Sequence, residues 1–381
     1  MTAGRDGTPA GRGDGVTSGS GSGVTEAGDL PDLASRLLGG GVVAANDEFF
    51  AARDNLVNPE PPTFAAGTFG AKGQVYDGWE TRRRREPGHD HAVIRLGASG
   101  TIRAVVIDTS FFTGNFPPYA SVEGCAMAGY PSPAELAGTQ WLPLVARSPL
   151  RGDARNVFPV TAPHRFTHVR LRIFPDGGVA RLRVHGVVVP DPALFPDGLL
   201  DLAALEHGGL VVDCSNRFYG APQQLIAPGL ARTMGEGWET ARRRDDGNDW
   251  VRIRLAAPGQ IRLVELDTSH FKGNAPATAC LRGLDARLAD PADPSAWFEI
   301  LPRTRLQPDT RHRFPVDGAA TTTDVRLDIF PDGGMARLRL PGRLAPEERD
   351  RLRRRWSESL PPGHARQVAG PAARPAGAWW P

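Results

Sequence analysis

The sequence predicts an all-β protein: two homologous jelly-roll β-sandwich domains from an internal duplication, followed by a short C-terminal helix. Three observations predict it. A 20-residue block occurs twice, at 77–96 and 236–255, with twelve positions identical. Further matching blocks recur in the same order about 160 residues apart, too long a period for a solenoid, so each copy is a whole domain. Within each copy, short alternating or apolar runs are separated by Gly/Pro turns, with almost no long amphipathic helix.

In chain order, residues 1–28 are Gly/Ser/Thr-rich and predict a flexible tail; its Arg-Gly-Asp at residues 12–14 is read as composition. The first domain is expected over 29–190, a linker over 191–200 and the second domain over 201–343. Residues 32–57 match 201–226 at an offset of 169, each running from a helical turn through Gly-Gly into an apolar strand and an aromatic pair, Phe49-Phe50 or Phe218-Tyr219. The Trp-Glu-Thr-x-Arg-Arg-Arg blocks follow at an offset of 159, each leading into a strand, a Gly turn and a second strand. DTSFFTGN (108–115) and DTSHFKGN (267–274) share six of eight positions. IFPDGGVARLR (173–183) and IFPDGGMARLR (329–339) differ at one position in eleven, and their Asp-Gly-Gly predicts a tight hairpin needing positive φ. Residues 344–381 predict a helix over 346–360, with Pro346 and early acids suiting its first turn, then a loose stretch.

Composition narrows the function. The 381 residues carry 45 basic and 43 acidic side chains, a net charge of +2, which argues against nucleic acid as partner. The three cysteines, Cys125, Cys214 and Cys280, form no metal or disulfide pattern and suit a reducing cytoplasm. No apolar run approaches the roughly 20 residues that span a membrane, and the N-terminus lacks the apolar segment of a secretory signal.

Taken together, Gly-Trp-Glu-Thr-x-Arg-Arg-Arg, Asp-Thr-x-x-Phe-x-Gly-Asn and Phe-Pro-Asp-Gly-Gly-x-Ala-Arg, in that order and twice over, resemble the allantoicase family. So does the opening block at residues 47–51. The resemblance covers roughly residues 29–343. It implies two sandwiches of the galactose-binding, discoidin-like kind and hydrolysis of allantoate to ureidoglycolate and urea in purine degradation. The alternative is a non-catalytic tandem sandwich that binds a sugar or small anion, because fold does not fix function.

Allantoate carries a carboxylate and two ureido groups on one carbon. Its carboxylate calls for Arg, and departure of urea calls for a proton on the leaving nitrogen. Arg83, Arg84, Arg242 and Arg243 are the first candidates for substrate binding, with Arg181 and Arg337 beyond the hairpins, Asn115, Asn274 and Lys272. Glu80 and Glu239 each follow a Trp that can desolvate them toward general-acid range, and Asp108 and Asp267 sit at a strand end. His270 is the one His inside a duplicated motif core, a proton-transfer candidate. Where the first copy has Phe111, Thr113 and His89, the second has His270, Lys272 and Asn248. His89-Asp90-His91 is the nearest approach to a metal motif, and it is lost in the second copy. No metal and no cofactor are expected; a homo-oligomer is compatible with the duplication.

Overall fold

The first repeat is built on one strand, Asp90–Asp108, which is 19 residues long. In this computed structural model residues 30–318 and 320–369 are described; the tail over 1–28, with its Arg-Gly-Asp, and Trp379-Trp380 lie outside the described residues. The first half of the long strand pairs antiparallel with Gly41–Ala45 and Arg165–Phe174. Its second half pairs with Arg155–Pro159 and Arg181–Val188. From Arg165–Phe174 the sheet continues through Tyr119–Cys125 to Leu142–Pro149. One strand therefore serves both faces of a sandwich.

The Gly turn expected between 96 and 101 does not reverse the chain. The pairing register shifts between Arg95 and Gly100, and the strand runs on. Close approach of backbone explains the glycines. A Cβ on Gly97 would stand 2.4 Å from the Leu38 carbonyl oxygen, and one on Gly100 would stand 2.3 Å from that of Val187. In the second repeat the same path is interrupted once, giving Asp249–Ile261 and Leu263–Asp267. The latter forms a separate three-stranded sheet with Arg311–Pro315 and Arg337–Arg339. Leu199–Asp201, at the end of the connection, pairs with Pro341–Leu344 and so is part of the second sandwich.

The two cores follow from alternation along the strands. Ile94, Ile102, Ile107 and Leu171 in the first repeat, and Ile253, Leu266 and Leu327 in the second, are fully buried, each stabilising the fold by roughly 1.5–3 kcal/mol. Trp79 and Trp238, at the head of the duplicated motif, are fully buried too. The Asp-Gly-Gly segments adopt the positive φ expected of them, 138° at Gly177 and 131° at Gly333, but they close no hairpin: the strand before pairs with Tyr119–Cys125 and the long strand, and Gly178–Val179 after it crosses to Trp79–Glu80. The following glycine has a different reason to be small: a Cβ on Gly178 would lie 2.0 Å from Phe112 Cε1, and one on Gly334 would lie 1.9 Å from Phe271 Cε1. Gly178→Ala is therefore expected to destabilise by about 1–3 kcal/mol, as overpacking does, read as a lower denaturation midpoint.

The C-terminal helix spans Pro346–Ser359. A second helix, Pro362–Ala369, occupies part of the stretch expected to be loose. Its anchor is His364, buried with its ring 6.1 Å from that of Trp356. No helix of the described residues is long and apolar enough to cross a membrane.

Candidate active site

Three motifs distant in sequence meet at Glu80. The two-residue strand Trp79–Glu80 pairs antiparallel with Gly178–Val179 from the Asp-Gly-Gly block, placing Gly178 opposite Glu80. On the other side Glu80 and Ala51 form an antiparallel bridge. The Gly-Asn loop closes the third side: Asn115 accepts the Gly178 N–H on its carbonyl at 2.7 Å and donates its side-chain Nδ2 to Glu80 Oε1 at 2.7 Å. Trp79 lies beneath, its indole N–H on the Asp47 carbonyl. Side chains alternate across a strand, so Trp79 and Glu80 face opposite ways and the Trp is the floor rather than the wall against the carboxyl.

Glu80 faces a cavity of about 290 Å³ lined also by Thr81, Arg83, Asn115, Phe116 and Asp176. A second, more open cavity of about 870 Å³ lies alongside, lined by Asp47, Phe49 and Arg82 to Arg85. Arg83 and Phe50 line both. Burial raises the Glu80 carboxyl above the ordinary carboxylate range, and the Asn115 hydrogen bond offsets this only in part. The guanidinium of Arg83 is largely exposed and only 3.8 Å from Asp176 Oδ1. The arrangement offers a carboxyl that holds its proton more tightly than usual, an amide beside it, and a weakly paired Arg at the mouth.

The second repeat rebuilds the same lattice. Asn274 Nδ2 donates to Glu239 Oε1 at 2.6 Å. Trp238–Glu239 pairs with Gly334–Met335.

Comparison with known proteins agrees with this duplication. The allantoicase repeat family matches residues 31–189 and again 200–345. A probable allantoicase of Nocardia farcinica is 62% identical over 319 residues, covering 83% of this chain and 95% of that protein. One from Streptomyces coelicolor is 52% identical over 348 residues, covering 87% and 91%. The chain belongs to the allantoicase family. The crystal structure of allantoicase from Saccharomyces cerevisiae superposes with a TM-score of 0.72 at 32% identity, over 82% of this chain and 93% of that one.

Within this allantoicase fold the remaining candidates separate by what holds them. Arg84 donates its backbone N–H to Asp176 Oδ2 at 2.8 Å and its Nη1 to the buried Asp90 at 2.6 Å. Arg243 does the same with Asp332 and Asp249, and also clasps Asp245. Both are occupied in bracing their loops. Arg181 is almost wholly buried, donating to the carbonyls of Glu60, Asp77 and Ala180 and pairing with the Asp77 carboxylate at 2.8 Å. Arg337, equally buried, donates to the carbonyls of Gly229, Glu236 and Ala336. These two stand behind the site and not in it. Asp108 and Asp267 are buried and cap the next turn, accepting the backbone N–H of Ser110 at 2.9 Å and of Ser269 at 2.8 Å.

His270 is at positive φ, 73°, and its Nε2–H donates to the Ala231 carbonyl at 3.0 Å. That contact ties the ring to the segment just before Met234–Glu236, 39 residues earlier, and neither it nor Glu239 reaches the other by a hydrogen bond. Arg242 and Lys272 are exposed. His89 and His91 have ring centroids 6.2 Å apart, and burial, then neighbouring positive charges, lower both below the usual His range. Among the described residues no group of three or more His, Cys, Asp or Glu is placed to hold a metal ion.

Phe50, Phe116 and Asp176 line the small cavity but were not among the sequence candidates. Phe50 had a signal, since its aromatic pair is duplicated. Asp176 was expected only as a turn residue, and it is the contact with the Arg84 N–H, 92 residues away, that turns it toward the site.

Proposed function

We propose that the protein hydrolyses allantoate to ureidoglycolate and urea, with the Glu80 cavity as the reacting site. The pairing of a half-buried Glu80, whose carboxyl holds its proton more tightly than an ordinary carboxylate, with the Asn115 amide carries the assignment. The substrate carboxylate binds Arg83 at the junction of the two cavities. The ureido group that leaves lies against Glu80 and Asn115. Asn115 occupies Oε1, so the proton resides on Oε2 and is delivered to the leaving nitrogen as the C–N bond breaks. The lone pair of the remaining ureido nitrogen supports the central carbon meanwhile. Water then bonds to that carbon and returns its proton to the Glu80 carboxylate, so the site ends as it began. Holding both groups rigidly around the carbon contributes further.

The same proposal places the enzyme in the cytoplasm, in keeping with its three free thiols. Its partner is allantoate, without nucleic acid or membrane, and self-association through its duplicated surfaces fits the same picture. Arg84, Arg243, Arg181, Arg337, Asp108 and Asp267 act as supports. Urea release from allantoate by the purified chain, with and without chelator, tests the assignment. Turnover in both supports it; folded protein that releases no urea would leave a sugar- or anion-binding tandem module.

The pH profile tests Glu80 in particular. With a protonated acid required, kcat falls as pH rises through the raised pKa of Glu80. The Asn115 hydrogen bond lowers that pKa against burial. Asn115→Ala should therefore move the alkaline limb of kcat to higher pH; an unmoved limb would remove Glu80 as the group that titrates.

A further inference from the structure

The two repeats match closely around the site except in one segment. The block before it aligns at an offset of 169 and the blocks at 77–96 and 108–115 after it at 159, so the first repeat has ten additional residues between Val57 and Asp77. In the structure these belong to an arm ending in a small hairpin, Phe69–Gly70 against Gly73–Gln74. The base of the arm is anchored. Phe64 stacks on Tyr76 at 5.3 Å and on Phe111 at 5.7 Å, and Tyr76 stacks on Phe112 at 4.8 Å. Phe112 is the ring that packs against Gly178, opposite Glu80. The Thr63 N–H donates to Asp77, which Arg181 also holds.

The tip of the arm reaches the site. Lys72 Nζ lies 4.8 Å from the centroid of the Phe49 ring, and Phe49 lines the larger cavity. Arg82 approaches the same ring at 5.4 Å. Four Arg and Lys72 together outnumber Asp47, Glu86 and Asp90 around that cavity. Two of those acids are taken, Asp47 by Arg82 and Asp90 by Arg84. The net charge left at the mouth is positive, which suits a carboxylate.

The second repeat has no counterpart to the arm. Between Ile226 and Glu236 it makes only a short turn, Met234–Glu236. Its aromatic pair is left uncovered, Phe218 at 69% and Tyr219 at 67% exposure, against 42% and 43% for Phe49 and Phe50. The Arg82–Asp47 ion pair is also gone, because Ala241 and Asn216 stand in those places.

We propose that the first repeat is the working one, and that its arm makes it so by bringing Lys72 over the Phe49 ring to bind the substrate carboxylate together with Arg83. This rests on the hydrolase assignment above. The arm covers the apolar side of the cavity and strengthens the charge contact by excluding water. The second repeat keeps the Glu239–Asn274 pair as a brace for its loops.

Lys72 and Lys272 are the two lysines of the chain, and they give a matched control. Lys72→Met, Lys72→Arg and Lys272→Met are compared in the full chain by steady-state urea release from allantoate at low and high salt. Lys72→Met should raise KM at least tenfold with kcat within about twofold, a loss of roughly 1.4 kcal/mol per decade, and should weaken the salt dependence of KM. Lys72→Arg should restore most of the affinity, and Lys272→Met should match the wild type. A Lys72→Met KM within twofold of wild type, or an equal effect of Lys272→Met, would overturn the inference while leaving the hydrolase. No urea release by the wild-type chain would remove both.

Discussion

Glu80→Gln is expected to lower kcat by about 10²–10⁴, the range for loss of a positioned general acid, without lowering the unfolding midpoint near neutral pH. Gln preserves shape and can still accept the Asn115 amide on Oε1, so the loop lattice survives. What it cannot do is deliver a proton to the leaving nitrogen. The stability half of the expectation follows from burial, which raises the Glu80 pKa. A carboxyl whose pKa is raised on folding favours the fold while protonated, below the ordinary carboxylate range. That contribution disappears as pH rises through the raised value. Once ionised, the carboxylate opposes folding, and Gln removes that opposition. Glu239→Gln in the second repeat should keep turnover within a few-fold of wild type. Urea release and thermal melts on the two variants decide the matter. Full activity in Glu80→Gln, or equal losses in both, would sink the assignment of the acid.

Arg181→Met should destabilise the protein by about 3 kcal/mol or more, because it leaves three carbonyls and the partly buried Asp77 carboxylate without their donor. Arg181 ties three carbonyls and the Asp77 carboxylate at the base of the arm. Burial works against ionised Asp77, but the Arg181 hydrogen bond, the Thr63 N–H and the Arg181 charge together hold it below its usual range. A depressed carboxylate contributes stability above its unfolded pKa and loses it as pH falls through the folded one. In Arg181→Met that acid-side loss should flatten. The matching residue, Arg337, donates to carbonyls alone, so Arg337→Met should be milder, about 1–3 kcal/mol for carbonyls left unpaired. Urea unfolding of both variants at neutral and acidic pH tests the contrast; equal losses would show that the Asp77 pair is not what stabilises the arm.

These contrasts show where sequence stops being informative. Six of the candidate residues are Arg, and all six sit in duplicated motifs, yet they have different fates. Arg83 and Arg242 are exposed, Arg84 and Arg243 brace an Asp, and Arg181 and Arg337 are buried. A buried guanidinium needs acceptors for its donors, and those of Arg181 come from Glu60 and Asp77, more than a hundred residues earlier. No local pattern carries that information. His270 was drawn to attention by its chemistry, but a left-handed backbone and one carbonyl contact determine where its ring goes.

The sequence by itself determined the all-β class, the duplication, the family and the three motifs that form the site, since alternation, turn residues and repeated blocks are local properties of the chain. It also marked the asymmetry, as a ten-residue change of offset between the repeats. Only the tertiary structure decided that Glu80 meets Asn115, that Asp176 faces the cavity, and that the extra residues reach back over Phe49. The first two depend on strand pairings and loop contacts that join residues 35 to about 100 positions apart. Their geometry is set by packing across the whole sandwich.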